Sequence, residues 1–291
     1  MLFRTLPVKH TIITVILAGL ALCATPAQAK IKVHCVGQGP LIYLIGGGPA
    51  FTTWNLQPIQ QQLQHQYRVC RWDMRGVGEN AQLEVKLDQP ALSQWLQDMD
   101  DILPEEPVIL WGQSWGALQV LLFAKHHPQR VSKLILSNPV DPAMRSVARI
   151  EQKRFVHPEI RRRLTIDDMG TDAEGLFVLR SKIASYFVDP KKGWAYAQQF
   201  DKQDANNRLN VRIWDEYRDV VLQPSDISRL ADKISGVIYC EDDVLLPENY
   251  EEYRKLLPQQ EKHYMLKGCA HFPWEENTRD YFAALFRLVA D

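Results

Sequence analysis

A serine between two glycines, where a predicted strand meets a predicted helix, constrains the fold of this chain most strongly. Residues 108–111 are an apolar run typical of a buried strand, and residues 118–126 have a helical pattern. Between them lies the motif Gly112-Gln113-Ser114-Trp115-Gly116. A sharp strand-to-helix turn strains the backbone of its central residue, and larger side chains on either side of the serine would collide. The motif therefore predicts a nucleophilic Ser114 rather than a serine that only caps the helix.

Short apolar segments alternate with amphipathic ones along the rest of the chain, a pattern typical of an α/β protein with a mostly parallel sheet. The turn Gly37-Gln38-Gly39-Pro40 separates the first two apolar segments, which predicts that they form an antiparallel hairpin. A terminal amphipathic helix is predicted over residues 278–289. The predicted strands are residues 31–36, 41–45, 67–72, 108–111, 133–137, 236–240 and 262–266.

The strand pattern stops at residue 139 and is replaced by a helical period up to about residue 229. Strand signals resume at Gly236, and these late strands need the earlier sheet as a partner. We therefore expect a helical cap at 139–229 inserted into one core domain, rather than a second independent domain. The core domain is predicted to comprise residues 30–138 and 230–291.

The first residues of the chain have the design of a secretory signal peptide. Arg4 and Lys9 form a basic start, residues 11–24 are mostly apolar, and Ala27-Gln28-Ala29 is an A-x-A cleavage pattern. The apolar run is shorter than the roughly 20 residues that span a bilayer. Residues 1–29 are therefore predicted to be removed from a secreted or periplasmic protein that has no stable membrane insertion. The formal net charge of −1 argues against a nucleic-acid partner, and the oligomeric state stays open.

The motifs together resemble the α/β-hydrolase superfamily, and within it proline iminopeptidases and related serine aminopeptidases. Gly46-Gly47-Gly48-Pro49-Ala50 resembles that family's H-G-G-P-G, with glycine in place of histidine and alanine in place of the last glycine. Asp73-Met74-Arg75-Gly76-Val77-Gly78 resembles D-Q-R-G-x-G, and residues 111–116 are similar to W-G-G-S-W-G. The resemblance implies a mostly parallel sheet flanked by helices, with an inserted helical cap, and a hydrolase acting on short peptides.

A nucleophilic serine needs a base, and the base needs an orienting acid. In the fold that the motifs resemble, the acid and then the histidine follow the serine along the chain. His271 lies on a loop before the last predicted helix and is the predicted base. The acid is expected within Glu241-Asp242-Asp243, at the end of a predicted strand. Asp243 is the first choice and Asp242 the second.

The oxyanion of an acyl-transfer intermediate needs two backbone N–H donors. Trp115, directly after the nucleophile, is predicted to supply one, and Gly48 the other, with Gly47 as the alternative. No G-K-[ST] follows these glycines, which argues against a phosphate-binding loop. The sequence also lacks C-x-x-C, H-E-x-x-H and G-x-G-x-x-G, so no metal and no cofactor are predicted.

An aminopeptidase must also bind the α-ammonium of its substrate. In the family that this chain resembles, carboxylates from the cap do so, and Trp214-Asp215-Glu216 is similar to the family's W-E element. Glu216 is therefore the leading candidate, while Glu275 and Glu276 are further acids near the predicted cleft. Arg161-Arg162-Arg163 is expected to be a solvated face, with binding of an acidic substrate group as the alternative.

Asp73 and Arg75 lie in one of the motifs that carry the resemblance. They are expected to form a structural ion pair that shapes a loop near the site. Two rivals to the peptidase hypothesis remain open at the sequence level. One is a carboxylesterase that uses the same groups on a small-molecule substrate. The other is an inactive hydrolase fold that serves as a binding protein.

Four cysteines remain after residue 29, and an even number in an exported protein favours disulfides. In the strand order of the fold that this chain resembles, the strand of Cys35 lies beside that of Cys70. The strand of Cys240 lies beside the one ending near Cys269. The resemblance thus implies the pairs Cys35–Cys70 and Cys240–Cys269.

The pairing predicts that the purified protein without residues 1–29, and so without Cys23, carries no free thiol. Alkylation of the unreduced, denatured chain should leave its intact mass unchanged, and prior reduction should allow four alkyl groups to add. Four alkylated thiols without reduction would contradict both disulfides.

Overall fold

The apolar runs of the sequence become the strands of one sheet in the computed structural model, which describes residues 30–147 and 172–290. The predicted leader (residues 1–29) and Arg161-Arg162-Arg163 lie outside the described residues. The strands are β1 (His34–Val36), β2 (Leu41–Ile45), β3 (Arg68–Arg71), β4 (Val108–Gln113), β5 (Val131–Ser137), β6 (Ile234–Cys240) and β7 (His263–Leu266).

Helices flank this sheet and fill the connections between its strands. The described α-helices are α1 (Gln57–Leu63), α2 (Ala91–Ile102), α3 (Trp115–His126), α4 (Asp172–Ala184), α5 (Pro190–Ala197), α6 (Asn207–Tyr217), α7 (Pro224–Leu230), α8 (Glu248–Leu256), α9 (Pro273–Glu276) and α10 (Thr278–Ala290). Short 3₁₀ helices occur at Trp54–Leu56, Gly78–Asn80, Pro128–Arg130, Lys202–Asp204 and Gln260–Lys262. None of the helices in the described ranges has the length and apolar character needed to cross a bilayer.

The sheet has the order β1-β3-β2-β4-β5-β6-β7, and every neighbouring pair is parallel except β1 with β3. All six residues of β4 are buried, because helices cover both faces of the sheet centre. Burial on both faces explains why the central strands are continuous apolar runs instead of alternating patterns. The carboxyl ends of the parallel strands meet at one edge, which is where such folds bind ligands.

The predicted hairpin between the first two strands is wrong. β3 lies between β1 and β2, and it pairs with β1 in antiparallel and with β2 in parallel orientation. The connecting turn packs against the segment before β3, since the N–H of Arg68 donates to the carbonyl of Pro40 (3.0 Å). Gly37 has a φ of 76°, and a Cβ there would lie 2.3 Å from the Tyr67 carbonyl oxygen. The glycines of this turn therefore allow it to pack closely against the segment before β3, and they do not form a hairpin turn.

Helices α4 to α7, here called the inserted helices, occupy the chain between β5 and β6. Asp204, in a segment that connects two of these helices, and Asn210, on α6, bind the loop after β2. The Thr52 hydroxyl and the Trp54 indole N–H both donate to Oδ1 of Asp204, at 2.8 and 3.0 Å. The side-chain amide of Asn210 donates to the Pro49 carbonyl (2.7 Å). The insertion therefore holds the loop that carries the three consecutive glycines.

Both expected disulfides are present. Cys35 and Cys70 face each other across the antiparallel pair β1 and β3, and their sulfurs are bonded. β1 has three residues and lies at the edge of the sheet, where few contacts hold a strand. The bond joins this short edge strand to the body of the sheet.

Removing this cross-link should weaken the fold. The double variant Cys35→Ala/Cys70→Ala should lose about 2–4 kcal/mol of unfolding free energy, because its unfolded chain regains the freedom that a 35-residue separation had restricted. Urea denaturation followed by circular dichroism measures the loss. An unchanged midpoint and slope would contradict a stabilising role for the bond.

Candidate active site

Ser114 lies in the sharp turn between β4 and α3, with φ 56° and ψ −120°. The flanking glycines make that turn sterically feasible. A Cβ on Gly112 would lie 2.4 Å from the Gly116 carbonyl oxygen, and a Cβ on Gly116 would lie 2.2 Å from the carbonyl oxygen of Ile45. Both distances are far below van der Waals contact, so each position requires glycine. Helix α3 begins directly after the serine, three residues earlier than the predicted start.

His271 and Asp243 form a buried pair at the ends of neighbouring strands. Asp243 follows β6 and is 1% exposed, while His271 lies on the loop between β7 and α9 and is 3% exposed. Nδ1 of His271 lies 3.0 Å from Oδ1 and 3.1 Å from Oδ2 of Asp243. A carboxylate accepts hydrogen bonds, so this contact suits the neutral imidazole tautomer with its proton on Nδ1, which leaves a lone pair on Nε2. Asp242, the second choice for the acid, is exposed to solvent instead.

Two buried amides that the sequence analysis missed connect these groups. Nε2 of Gln113, beside Ser114, donates to the His271 carbonyl (3.2 Å). Nδ2 of Asn138 donates to Oδ2 of Asp243 (2.6 Å) and to the Ala270 carbonyl (3.1 Å). Gln113 occupies the variable position of the serine motif, and Asn138 directly follows β5, so neither had a pattern that marked it in advance.

The second disulfide ties the acid to the loop that carries the histidine. Cys240 is the last residue of β6, and Cys269 precedes His271 by two residues. The N–H of Asp242 also donates to the Cys269 carbonyl (3.2 Å). The two segments that meet in the Asp243–His271 hydrogen bond are therefore cross-linked covalently as well.

The backbone expected to bind an oxyanion lies beside Ser114. Trp115 is the first residue of α3, so its N–H has no acceptor within the helix. Gly47 packs directly on the serine, since a Cβ there would lie 3.0 Å from the Ser114 Cβ and 2.5 Å from Oε1 of Gln113. Gly48 has a φ of 127°, a region that favours glycine, and it lines the adjoining cavity. Trp115 and Gly47 thus lie at the turn of the serine, and Gly48 lies on the wall of the cavity.

A cavity of about 680 Å³ lies next to this group, between Gly48 and the inserted helices. Two aromatic residues of its lining contact the site. The ring centroid of Tyr186 lies 4.7 Å from that of His271, and the ring centroid of Trp214 lies 4.8 Å from that of Trp115. Most other described lining residues are apolar. Those on the apolar part of the wall are Ala143, Met144, Val147, Val178, Leu179 and Val211.

Three charged residues also line the cavity. Asp215 and Arg218 form an ion pair with each other on α6. The ammonium of Lys182 on α4 lies 4.9 Å from the centroid of the Phe51 ring. Asn207 and Asn210 line it as well, so the described wall combines apolar side chains with polar and charged ones.

Glu216, the predicted ligand for a substrate ammonium, is engaged with other groups of the protein. Its Oε1 and Oε2 accept the backbone N–H groups of Ala91 (2.9 Å) and Leu92 (2.8 Å), the first two residues of α2. Nε of Arg212 donates to the same carboxylate (2.7 Å). Glu216 thus caps α2, which has no side-chain cap from its own N-cap residue, Pro90. Trp214, two residues earlier on α6, faces the cavity instead.

Glu276 is also engaged with backbone. Its Oε2 accepts the N–H of Ala270 and its Oε1 that of Val188, both at 2.8 Å. Burial raises the pKa of the Glu276 carboxyl, and the two N–H donors oppose that shift. Glu275, its neighbour, is exposed to solvent.

The expected ion pair between Asp73 and Arg75 is wrong. Arg75 pairs with Asp98 on α2, through an Nε to Oδ2 bond of 3.0 Å and a second contact. Asp73 instead accepts the backbone N–H and the hydroxyl of Thr53, at 2.7 and 2.9 Å. Asp73 and Arg75 lie two positions apart in the motif but bind different elements of the fold. Each therefore shapes its loop through a separate partner.

Across residues 30–147 and 172–290, no three His, Cys, Asp or Glu side chains converge as they would around a metal ion. The predicted absence of a cofactor stays a prediction.

Comparison with solved structures supports the assignment of the fold. A family model described as the alpha/beta hydrolase fold matches residues 40–172. The hydrolase of 2-hydroxy-6-oxo-6-phenylhexa-2,4-dienoate from a Rhodococcus species superimposes with a TM-score of 0.67 at 18% identity, covering 91% of this chain and 96% of that one. A bromoperoxidase from Bacillus anthracis gives 0.64 at 18% identity, covering 91% and 97%.

The chain has the α/β-hydrolase fold. The fold class predicted from the sequence is thereby confirmed.

Curated proteins match this chain over shorter stretches. Epoxide hydrolase 4 from Mus musculus is 32% identical over 126 residues, which are 40% of this chain and 34% of that protein. Pimeloyl-[acyl-carrier protein] methyl ester esterase from Pseudoalteromonas atlantica is 30% identical over 159 residues, 50% of this chain and 60% of the esterase. A 2-hydroxymuconate semialdehyde hydrolase from a Pseudomonas species is 32% identical over 120 residues, 38% and 40% of the two chains. The chain therefore spans about a third to three-fifths of the length of these relatives.

The capping role of Glu216 leads to a testable expectation. Glu216→Ala should lower the free energy of unfolding by about 1–2 kcal/mol, because two N–H groups of α2 lose their acceptor. Urea denaturation measures that loss. The KM for an aminoacyl-amide or ester substrate should stay within about twofold of wild type, and a large rise in KM for aminoacyl amides alone would restore Glu216 as a substrate ligand.

Proposed function

We propose that this α/β-hydrolase is a serine hydrolase that cleaves carboxylic esters of small molecules with an apolar acyl or alcohol group. The observation that carries the proposal is the buried Asp243–His271 hydrogen bond beside a serine in a strained strand-to-helix turn. Gln113, the residue before the serine, donates a hydrogen bond to the carbonyl of His271. This contact supports the assignment of the three side chains to one catalytic group.

In the proposed reaction, Oγ of Ser114 attacks the ester carbonyl carbon while Nε2 of His271 takes the hydroxyl proton. Asp243 holds the imidazole in the required tautomer and stabilises the imidazolium that forms. The N–H groups of Trp115 and of Gly48 or Gly47 stabilise the negative oxygen of the tetrahedral intermediate. His271 then gives the proton to the departing alcohol, and a water molecule, activated in the same way, releases the carboxylic acid and regenerates Ser114.

The substrate class follows from the cavity wall. Its described lining is largely apolar, and its volume of about 680 Å³ lies within the usual range of small-molecule sites. One of the curated relatives is named as a methyl ester esterase, which supports an ester over an amide substrate.

An aminopeptidase of the proline iminopeptidase type is the second candidate. The sequence around Ser114 resembles that family, and Asp215 on the cavity wall is a carboxylate that could face an α-ammonium. Two observations place it second to the esterase. Asp215 is paired with Arg218, and Glu216 is used to cap α2. An inactive fold that only binds a small molecule or a short peptide is the third candidate.

We also propose that the protein is exported. The signal-peptide pattern of residues 1–29 supports this proposal, and so do the disulfides Cys35–Cys70 and Cys240–Cys269, because such bonds persist in oxidising compartments.

A panel of p-nitrophenyl esters and aminoacyl-naphthylamides tests the function. Esters should be hydrolysed with kcat/KM well above that for aminoacyl amides, and Ser114→Ala should lower kcat by more than about 10³-fold, because the nucleophile is lost. The exposed Ser228→Ala on α7 is a matched control that should keep full activity.

Labelling with a fluorophosphonate separates the three candidates further. Wild-type protein should gain one phosphonyl group on Ser114, and Ser114→Ala should gain none. Turnover of aminoacyl amides with negligible ester cleavage would replace the esterase by the aminopeptidase. A folded wild-type protein without label or turnover would favour the binding protein.

A further inference from the structure

We propose that Glu276 is a positioning residue for His271, because it fastens the histidine loop to the inserted helices. The histidine loop is here residues 267–272, between β7 and α9. The proposal rests on the proposed function, in which His271 is the catalytic base. Glu276 is assigned no contact with substrate, and it acts only through the backbone that carries the histidine.

Three hydrogen bonds join the histidine loop, α9 and the segment between α4 and α5. The carboxylate of Glu276 accepts the N–H of Ala270 with one oxygen and that of Val188 with the other, both at 2.8 Å. The backbone N–H of His271 itself donates to the Tyr186 carbonyl (3.0 Å). One carboxylate thus bridges the residue before the histidine and the insertion, in parallel with a direct bond from the histidine.

Aromatic rings cover the same contact. The Tyr186 ring lies 4.7 Å from the His271 ring and 5.8 Å from that of Phe272. Phe187 lies 5.6 Å from Phe272, and Tyr196 on α5 lies 5.8 Å from it. Tyr186 also lines the cavity, so the segment bound by Glu276 is both a wall for the substrate and a support for the imidazole.

The histidine loop is held from two sides. On the side of Asp243, the Cys240–Cys269 bond and the amide of Asn138 restrain it, the amide through the Ala270 carbonyl. On the side of the inserted helices, Glu276 restrains the N–H of the same Ala270. Loss of the carboxylate would leave the Asp243–His271 bond in place, and on the side of the inserted helices only the His271 N–H bond to Tyr186 and the ring contacts would still hold the loop. Two N–H groups would also lose their acceptor.

Without the Glu276 carboxylate, the imidazole of His271 would be oriented less precisely for catalysis. Displacement of a catalytic group by about 1 Å can lower the rate by about 10²-fold. Glu276→Ala should therefore lower kcat for a p-nitrophenyl ester by about 10- to 100-fold and leave KM within about threefold of wild type. A change confined to stability would lower the thermal midpoint and leave kcat below that midpoint unchanged.

The conservative variant and a neighbouring carboxylate provide the controls. Glu276→Gln keeps one acceptor oxygen, so its kcat should lie between those of wild type and Glu276→Ala. Glu275→Ala removes an exposed adjacent carboxylate and should keep the kcat of wild type. Circular dichroism and the elution volume in gel filtration establish that each variant is folded. If Glu276→Ala does not fold, the comparison of Glu276→Gln with wild type decides.

A folded Glu276→Ala variant with kcat within twofold of wild type would overturn the inference. If the alanine variant does not fold, a folded Glu276→Gln variant with the kcat of wild type would overturn it. An effect on KM alone would also overturn it, because a displaced base lowers kcat. Failure of the proposed function is distinct. In that case wild-type protein neither hydrolyses the esters nor takes up the fluorophosphonate at Ser114, whatever the Glu276 variants do.

Discussion

The close approach of the α3 N-terminus to the end of β2 is the contact on which the site depends. Gly116 fits against the carbonyl oxygens of Ile45 and Gly46, where a Cβ would lie within 2.2 and 2.6 Å of them. This approach lets the chain reverse at Ser114, exposes the first N–H groups of α3, and brings the glycine loop against the serine. Any larger residue at Gly116 would separate β2 from α3 and disperse these groups.

Around that contact, the groups with predicted catalytic roles are held by others that have none. Asn138 and the Cys240–Cys269 bond fix the acid relative to the histidine loop, and Gln113 joins that loop to the turn of the serine. Glu276 would complete the set from the side of the inserted helices. In the proposed Ser-His-Asp group, preorganisation would thus rest on amides, a disulfide and backbone carbonyls, which bind without reacting.

The predictions that the structure contradicts share one physical origin. The hairpin between the first two strands and the ion pair of Asp73 with Arg75 were inferred from residues close together in sequence. In the fold the partner comes from a distant segment, β3 for β1 and Asp98 for Arg75. Glu216 likewise binds the distant N-terminus of α2, and its predicted role toward a substrate stays a prediction. Local spacing carries no information about which remote donor a carboxylate or strand edge will meet.

The sequence by itself determined the elements and the fold class, because buried strands must be apolar and a strained serine turn must be flanked by glycine. It also pointed to Ser114, His271, and one acid within a run of three. Only the tertiary structure brought Asp243 rather than Asp242 to His271, engaged Glu216 with α2, and gave Asn138, Gln113 and Glu276 their partners. The reason is that a carboxylate or amide acts through whichever group lies within about 3 Å of it. That distance is set by packing between segments that lie far apart in the chain.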